Sequence, residues 1–95
     1  MKYAIFDAVC DGPVPIERDG EDRVVLYDSQ QAAEAELANI WISRLEEVVD
    51  GERRLDEAVG TEFVLCVEIQ NGKLVDPVGR VFSQKGERLE QLEEG

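Results

Sequence analysis

Phe63, Leu65, Val67 and Ile69 alternate with Glu62, Val64, Cys66, Glu68 and Gln70, and the run ends on Asn71-Gly72. This stretch constrains the fold more than any other. A two-residue period is that of a strand with one face on a core and the other at least half wet. Asn-Gly supplies the left-handed pair that a two-residue hairpin turn needs. Lys73-Leu74-Val75 should therefore return antiparallel. Asp76-Pro77-Val78-Gly79 reads as a further turn, followed by a short strand over residues 80–83.

The middle of the chain has a different period. Asp28 and Ser29 offer helix N-caps, with Gln31 in capping-box position after Asp28. At 100° per residue, Leu37, Ala38, Trp41, Ile42, Leu45, Val48 and Val49 fall within one arc of roughly 140°, and Glu36, Ser43, Glu46, Glu47 and Asp50 lie opposite. An amphipathic helix of about 22 residues is expected, ending at Asp50-Gly51 with glycine in the left-handed position past the cap. Trp41 sits mid-stripe and is expected in the core. Ile40 is the apolar residue off the stripe, and so the candidate for an exposed contact. Residues 52–59 read as one or two further helical turns closed by Gly60.

Residues 2–10 read as a first strand with Ala4, Phe6 and Ala8 on one face, stopped by Gly12-Pro13. A hairpin follows, with Arg18-Asp19-Gly20-Glu21 as its turn and residues 23–27 as its more convincing half. The order strand, hairpin, helix, hairpin predicts an α+β fold: an antiparallel sheet of about four to five strands packed on one long amphipathic helix. Residues 1–83 form the single domain. From Gln84 the composition turns polar, with Leu89 and Leu92 its only apolar residues, so residues 84–95 are expected to be an acidic, frayed helical tail.

Charge decides which functions this fold can serve. The 95 residues carry 22 Asp and Glu against 10 Lys and Arg, a formal net charge of -12. Nucleic acid and anionic lipid would repel such a chain, because binding either depends on basic residues displacing counterions. The apolar run before Asp7 is too short for a signal peptide, and no run approaches the roughly 18 residues of a membrane span. A cytoplasmic location follows as the expectation. Cys10 and Cys66 lie far apart, with neither a CxxC pair nor a histidine to complete a zinc site, and read as two free thiols.

The chain has no histidine, which removes the side chain most used for proton transfer near neutral pH and the Ser-His and Cys-His nucleophile pairs with it. Ser29, Ser43 and Ser83 sit in no nucleophile elbow, and the glycines form no phosphate-binding loop. Asp19, Glu21 and Asp22 resemble part of a calcium loop but lack its alternating ligands and closing glutamate, so a solvated turn is favoured over a metal site. The expected protein is therefore not an enzyme and uses no cofactor.

The acidic excess is organised. Asp19, Glu21 and Asp22 crowd one hairpin tip; Glu36, Glu46, Glu47 and Asp50 line one helix face; Glu52, Asp56 and Glu57 follow. Along the helix, Glu36 to Asp50 spans ~21 Å at ~1.5 Å per residue, sparser than the phosphates of DNA at ~3.4 Å along each strand. These ten carboxylates are the candidate partner-binding residues, fitted to a basic groove that otherwise holds nucleic acid. A solvated face that only keeps the chain soluble is the alternative.

In size, charge and the acid-lined helix of Glu36, Glu46, Glu47 and Asp50, the chain resembles the small phage-encoded inhibitors, above all the anti-CRISPR proteins. Several of those imitate DNA and occupy basic channels of the effector complex. The resemblance implies a non-enzymatic inhibitor, a basic nucleic-acid-binding protein or CRISPR effector as partner, and a bacterial host cytoplasm. A monomer is expected. The other readings are an immunity or antitoxin-like partner of a basic enzyme, and an interaction module that dimerises or binds a helix through Ile40, Leu89 and Leu92.

Overall fold

A computed structural model describes residues 1–8 and 12–89. The elements are β1 (Lys2–Asp7), β2 (Val14–Pro15), α1 (Gln30–Val49), α2 (Leu55–Ala58), β3 (Glu62–Gln70), β4 (Lys73–Val75), β5 (Val81–Phe82) and β6 (Arg88–Leu89). The fold is α+β, as the sequence pattern predicts. Among the described residues the sheet has six strands rather than four or five, in the order β2-β1-β3-β4-β5-β6, and every pairing is antiparallel.

Local chemistry sets the elements. Asn71 and Gly72 both take positive φ, 51° and 75°, which joins β3 to β4 by the tight turn that Asn-Gly favours. Ser29 is the N-cap of α1, its hydroxyl accepting from the amide of Ala32. At the other end the amide of Gly51 bonds to Val48 O and that of Glu52 to Glu47 O, with Gly51 at φ 79°. That paired closure stops a helix when glycine follows the cap.

The buried Asp76 carboxylate shapes the turn into β5. Its Oδ1 accepts from the amides of Val78 and Arg80, and its Oδ2 from the Arg80 guanidinium. Turn chemistry that reads as ordinary Asp-Pro sequence thus carries an ion pair whose acid is fully enclosed.

The sheet coils tightly. Phe82 on β5 meets Phe6 on β1 edge-on with ring centroids 5.6 Å apart, although β3 and β4 lie between them in strand order. Ala4, Phe6, Val24, Val67, Leu74 and Phe82 fill the interior so enclosed, with Val14, Leu26, Phe63 and Leu65 at its margin. Residues 16–27 close one side. The return strand expected at residues 23–27 is instead an irregular crossing, held by the bridges Arg18 to Val24 and Tyr3 to Tyr27 and by the Val24 amide on Gln84 O.

The even face of β3, expected to be at least half wet, is half-buried at Glu62, Val64 and Cys66 and exposed at Glu68 and Gln70. Helix α1 packs against both β1 and β3, and Glu62 on the even-numbered face of β3 bonds to Trp41 and Arg44 of α1. Glu62 and Val64 at the start of β3 therefore lie by the helix, on the same face as Ile5 of β1, which is wholly buried. One alternating strand serves two cores. Ile69, assigned to the core by alternation, is 54% exposed, because β3 has by then passed beyond both covers.

Residues 84–89 make a turn and strand β6 instead of a helical tail. Gly86 is enclosed there at φ 86°, against the Arg18 guanidinium. Cys10 and Leu92 lie outside the described residues, as do residues 90–95 of the expected tail. Cys66 is a free, half-buried thiol.

Candidate functional site

Helix α1 has three sides, and the sequence pattern distinguishes only two. Toward the sheet it buries Ala33 and Leu37 and lays Trp41 and Arg44 over Glu62. Trp41 is half-buried there, with its indole Nε1 3.0 Å from Glu62 Oε1 and the Arg44 guanidinium 3.1 Å from Oε2. Burial disfavours the Glu62 carboxylate, but the hydrogen bonds from Trp41 and Arg44 outweigh it and hold the carboxyl below its ordinary range. Nothing in the alternation of β3 marks Glu62 as this anchor, since its position reads as wet.

The second side is acidic. Glu46 and Asp50 are exposed, and neither has an ion pair among the described residues. Glu47 is half-buried and paired with Arg53, while Glu36, half-buried, sits ten residues before Glu46, ~15 Å up the helix. Helix α2 packs on α1 and so brings Glu52, Asp56 and Glu57 to the same end. Asp56 faces Arg54 at 3.4 Å. Two arginines therefore answer two of the six acids clustered at that end, a neutralisation the charge reading passed over.

Asp19, Glu21 and Asp22 belong to a different place. Asp19 Oδ1 accepts from the amides of Arg23 and Glu21, and those bonds lower its pKa. It builds the turn. Asp22 supplies the turn's left-handed residue at φ 62°, and Glu21 faces Arg23 at 3.8 Å on the surface. Among the described residues, no group of three or more Cys, Asp or Glu side chains is placed to hold a metal ion. No described helix is long and apolar enough to cross a membrane.

The third side reverses the sequence expectation. Ile40, the off-stripe residue, is half-buried, whereas Ile42, Leu45 and Val49 from the predicted core stripe are 53%, 37% and 86% exposed. With Trp41 and Arg44 bonded to Glu62, the contact with the sheet centres near Leu37, and Ile42, about 140° farther round the helix, faces solvent. Beside this stripe, an open groove of about 380 Å³ runs between α1 and the start of β3, lined by Glu34, Leu37, Ala38, Trp41, Glu62, Phe63 and Val64. Another concavity, about 370 Å³, lies under the 19–26 crossing, with Val24, Leu26, Leu74 and Ile69 as its apolar wall.

No protein-family model matches the chain, and neither the curated proteins nor the solved structures contain a match to it.

Proposed function

We propose that this protein is a non-enzymatic acidic inhibitor that occupies the basic nucleic-acid-binding surface of a target protein or complex. The observation that carries this reading is the outward side of α1, where Glu46 and Asp50 stand exposed on a rigid element next to Glu52 and Glu57. Carboxylates on a helix cost no backbone ordering on binding, unlike those on a loop that must first be ordered, so less of their attraction to a basic groove is lost to entropy. A net charge of -12 steers the encounter as well. The turn acids around Asp19 are already engaged with backbone amides and rank second. A bacterial host cytoplasm and a CRISPR effector as target follow from the resemblance in size and charge.

A pull-down with a purified CRISPR effector, in competition with DNA or guide RNA, tests this. Reversal of Glu46, Glu47 and Asp50 to Lys is expected to abolish binding with the circular dichroism spectrum kept, and reversal of Asp19, Glu21 and Asp22 to weaken it less. A folded helix variant that binds like wild type would leave the acidic side a mere solvated surface.

The exposure of Ile42, Leu45 and Val49 favours a second reading, an interaction module that works through apolar contacts. Under it, replacing Ile42 and Val49 by Ser removes binding at unchanged net charge.

A further inference from the structure

Strand β3 is paired over two thirds of its length on one edge and over the remaining third on the other. Strand β1 takes residues 62–67, whereas β4 meets only Glu68, Ile69 and Gln70. The direction of the remaining backbone groups follows from β1. Tyr3 exchanges both its bonds with Tyr27, at 2.9 and 2.8 Å, and Ile5 O accepts from the Ile16 amide. The odd residues of β1 therefore point away from β3, and Lys2, Ala4 and Phe6 bond to their partners Val67, Leu65 and Phe63. By the same alternation, the N–H and C=O groups of Val64 and Cys66 point to the opposite edge. Among the described residues, no backbone group bonds to them there.

A row of free backbone donors and acceptors on a β-rich strand is a template for another strand. The groove between α1 and β3 adjoins this edge at Val64, with Ala38, Trp41 and Val64 as apolar lining and Glu34 at its rim, while Cys66 opens on a second concavity beside Val75, Pro77 and Gly79. A groove between a helix and a strand edge admits an extended chain, whose backbone pairs with the edge while alternate side chains lie against the helix.

Charge decides among the occupants. A second copy of this chain would pair β3 antiparallel to β3. The register that matches Val64 with Cys66 then carries Glu62 of each copy to the place opposite Glu68 that Val75 of β4 already fills, and it brings together two molecules of charge -12 each. A segment with apolar side chains toward the groove and Lys or Arg toward Glu34 and Glu68 meets no such opposition.

We propose that the free edge of β3 at Val64 and Cys66, with the groove beside it, docks an extended segment of a basic partner protein, which adds to the sheet as a further strand. The basic character of the segment rests on the acidic reading above; the backbone pairing does not.

The probe is an eight-residue peptide alternating Lys and Val, capped at both ends, with two relatives N-methylated at all valines or at all lysines. Binding is followed by calorimetry and by amide exchange of Val64 and Cys66. The expected result is at least tenfold slower exchange at those two amides and at least tenfold weaker binding of one or both methylated peptides. Val64→Pro, which removes an outward donor that β1 does not use, should weaken the parent peptide likewise. If that variant misfolds, exchange in the wild-type protein still decides.

Three outcomes overturn the proposal. Equal binding of all three peptides without protection would mean attraction by charge alone, leaving the acidic reading standing. No binding of the parent peptide would remove the site. A dimer by light scattering that Val64→Pro dissolves would give the edge to a second copy.

Discussion

Glu62 decides how the helix sits, and it does so as an anion. Its side chain is 10% exposed and receives bonds from Trp41 and Arg44. Because its folded pKa lies below the ordinary 4.5, its contribution is fully present above that value and is lost as pH falls through the folded pKa. Glu62→Gln keeps an acceptor but loses the charge, and should cost about 1–2 kcal/mol at pH 7. Urea denaturation at pH 7 and at pH 3 checks this: the gap between wild type and variant should narrow at pH 3, and a gap of constant size would mean that charge has no part in it. Sequence could not have shown this residue. In a strand of alternating polar and apolar side chains, Glu62 looks no different from Glu68, which is exposed; only the arrival of α1 on that face separates them.

At the scale of the element, helix α1 and hairpin β3-β4 were legible because their signals are local. A Ser cap, a terminal Asp-Gly and an Asn-Gly turn act within a few residues. Which side of α1 is covered is not local. The apolar arc from Leu37 round to Ile42 is wider than two strands can cover, so part of it stays outside whichever way the helix rolls. Leu37→Ala should therefore cost about 2–4 kcal/mol, while Val49→Ser should stay within about 0.5 kcal/mol of wild type. Thermal or chemical melts of the two variants decide the matter, and equal losses would show Val49 to be buried in solution. The return strand expected at residues 23–27 is irregular for a related reason. Arg23-Val24-Val25-Leu26-Tyr27 has strand composition, yet Val24 and Leu26 are used to close the interior while Tyr27 alone pairs with β1. The acidic positions themselves were legible, but not Arg53 and Arg54 folding back onto Glu47 and Asp56.

The molecule as a whole carries -12, and three of the six described ion pairs are exposed and of little worth individually. Self-repulsion should then dominate the response to salt. Raising sodium chloride from ~0.01 M to ~0.15 M shortens the screening length from ~30 Å to ~8 Å, and the melting temperature should rise by several degrees. A fall would mean that pairs such as Arg44 with Glu62 outweigh the repulsion. The ring contact between Phe6 and Phe82 has its own consequence at this scale, one of time rather than energy. Residues near the two ends of the described chain must meet before the interior is dry, so nearly the whole length forms one loop that has to close. Local helix formation in α1 is a matter of microseconds or less, but this closure makes the sequence separation of the native contacts large and the search correspondingly slow. During synthesis, β1 emerges long before β5, and Phe6, which meets Phe63 first, is not fully enclosed until Phe82 arrives.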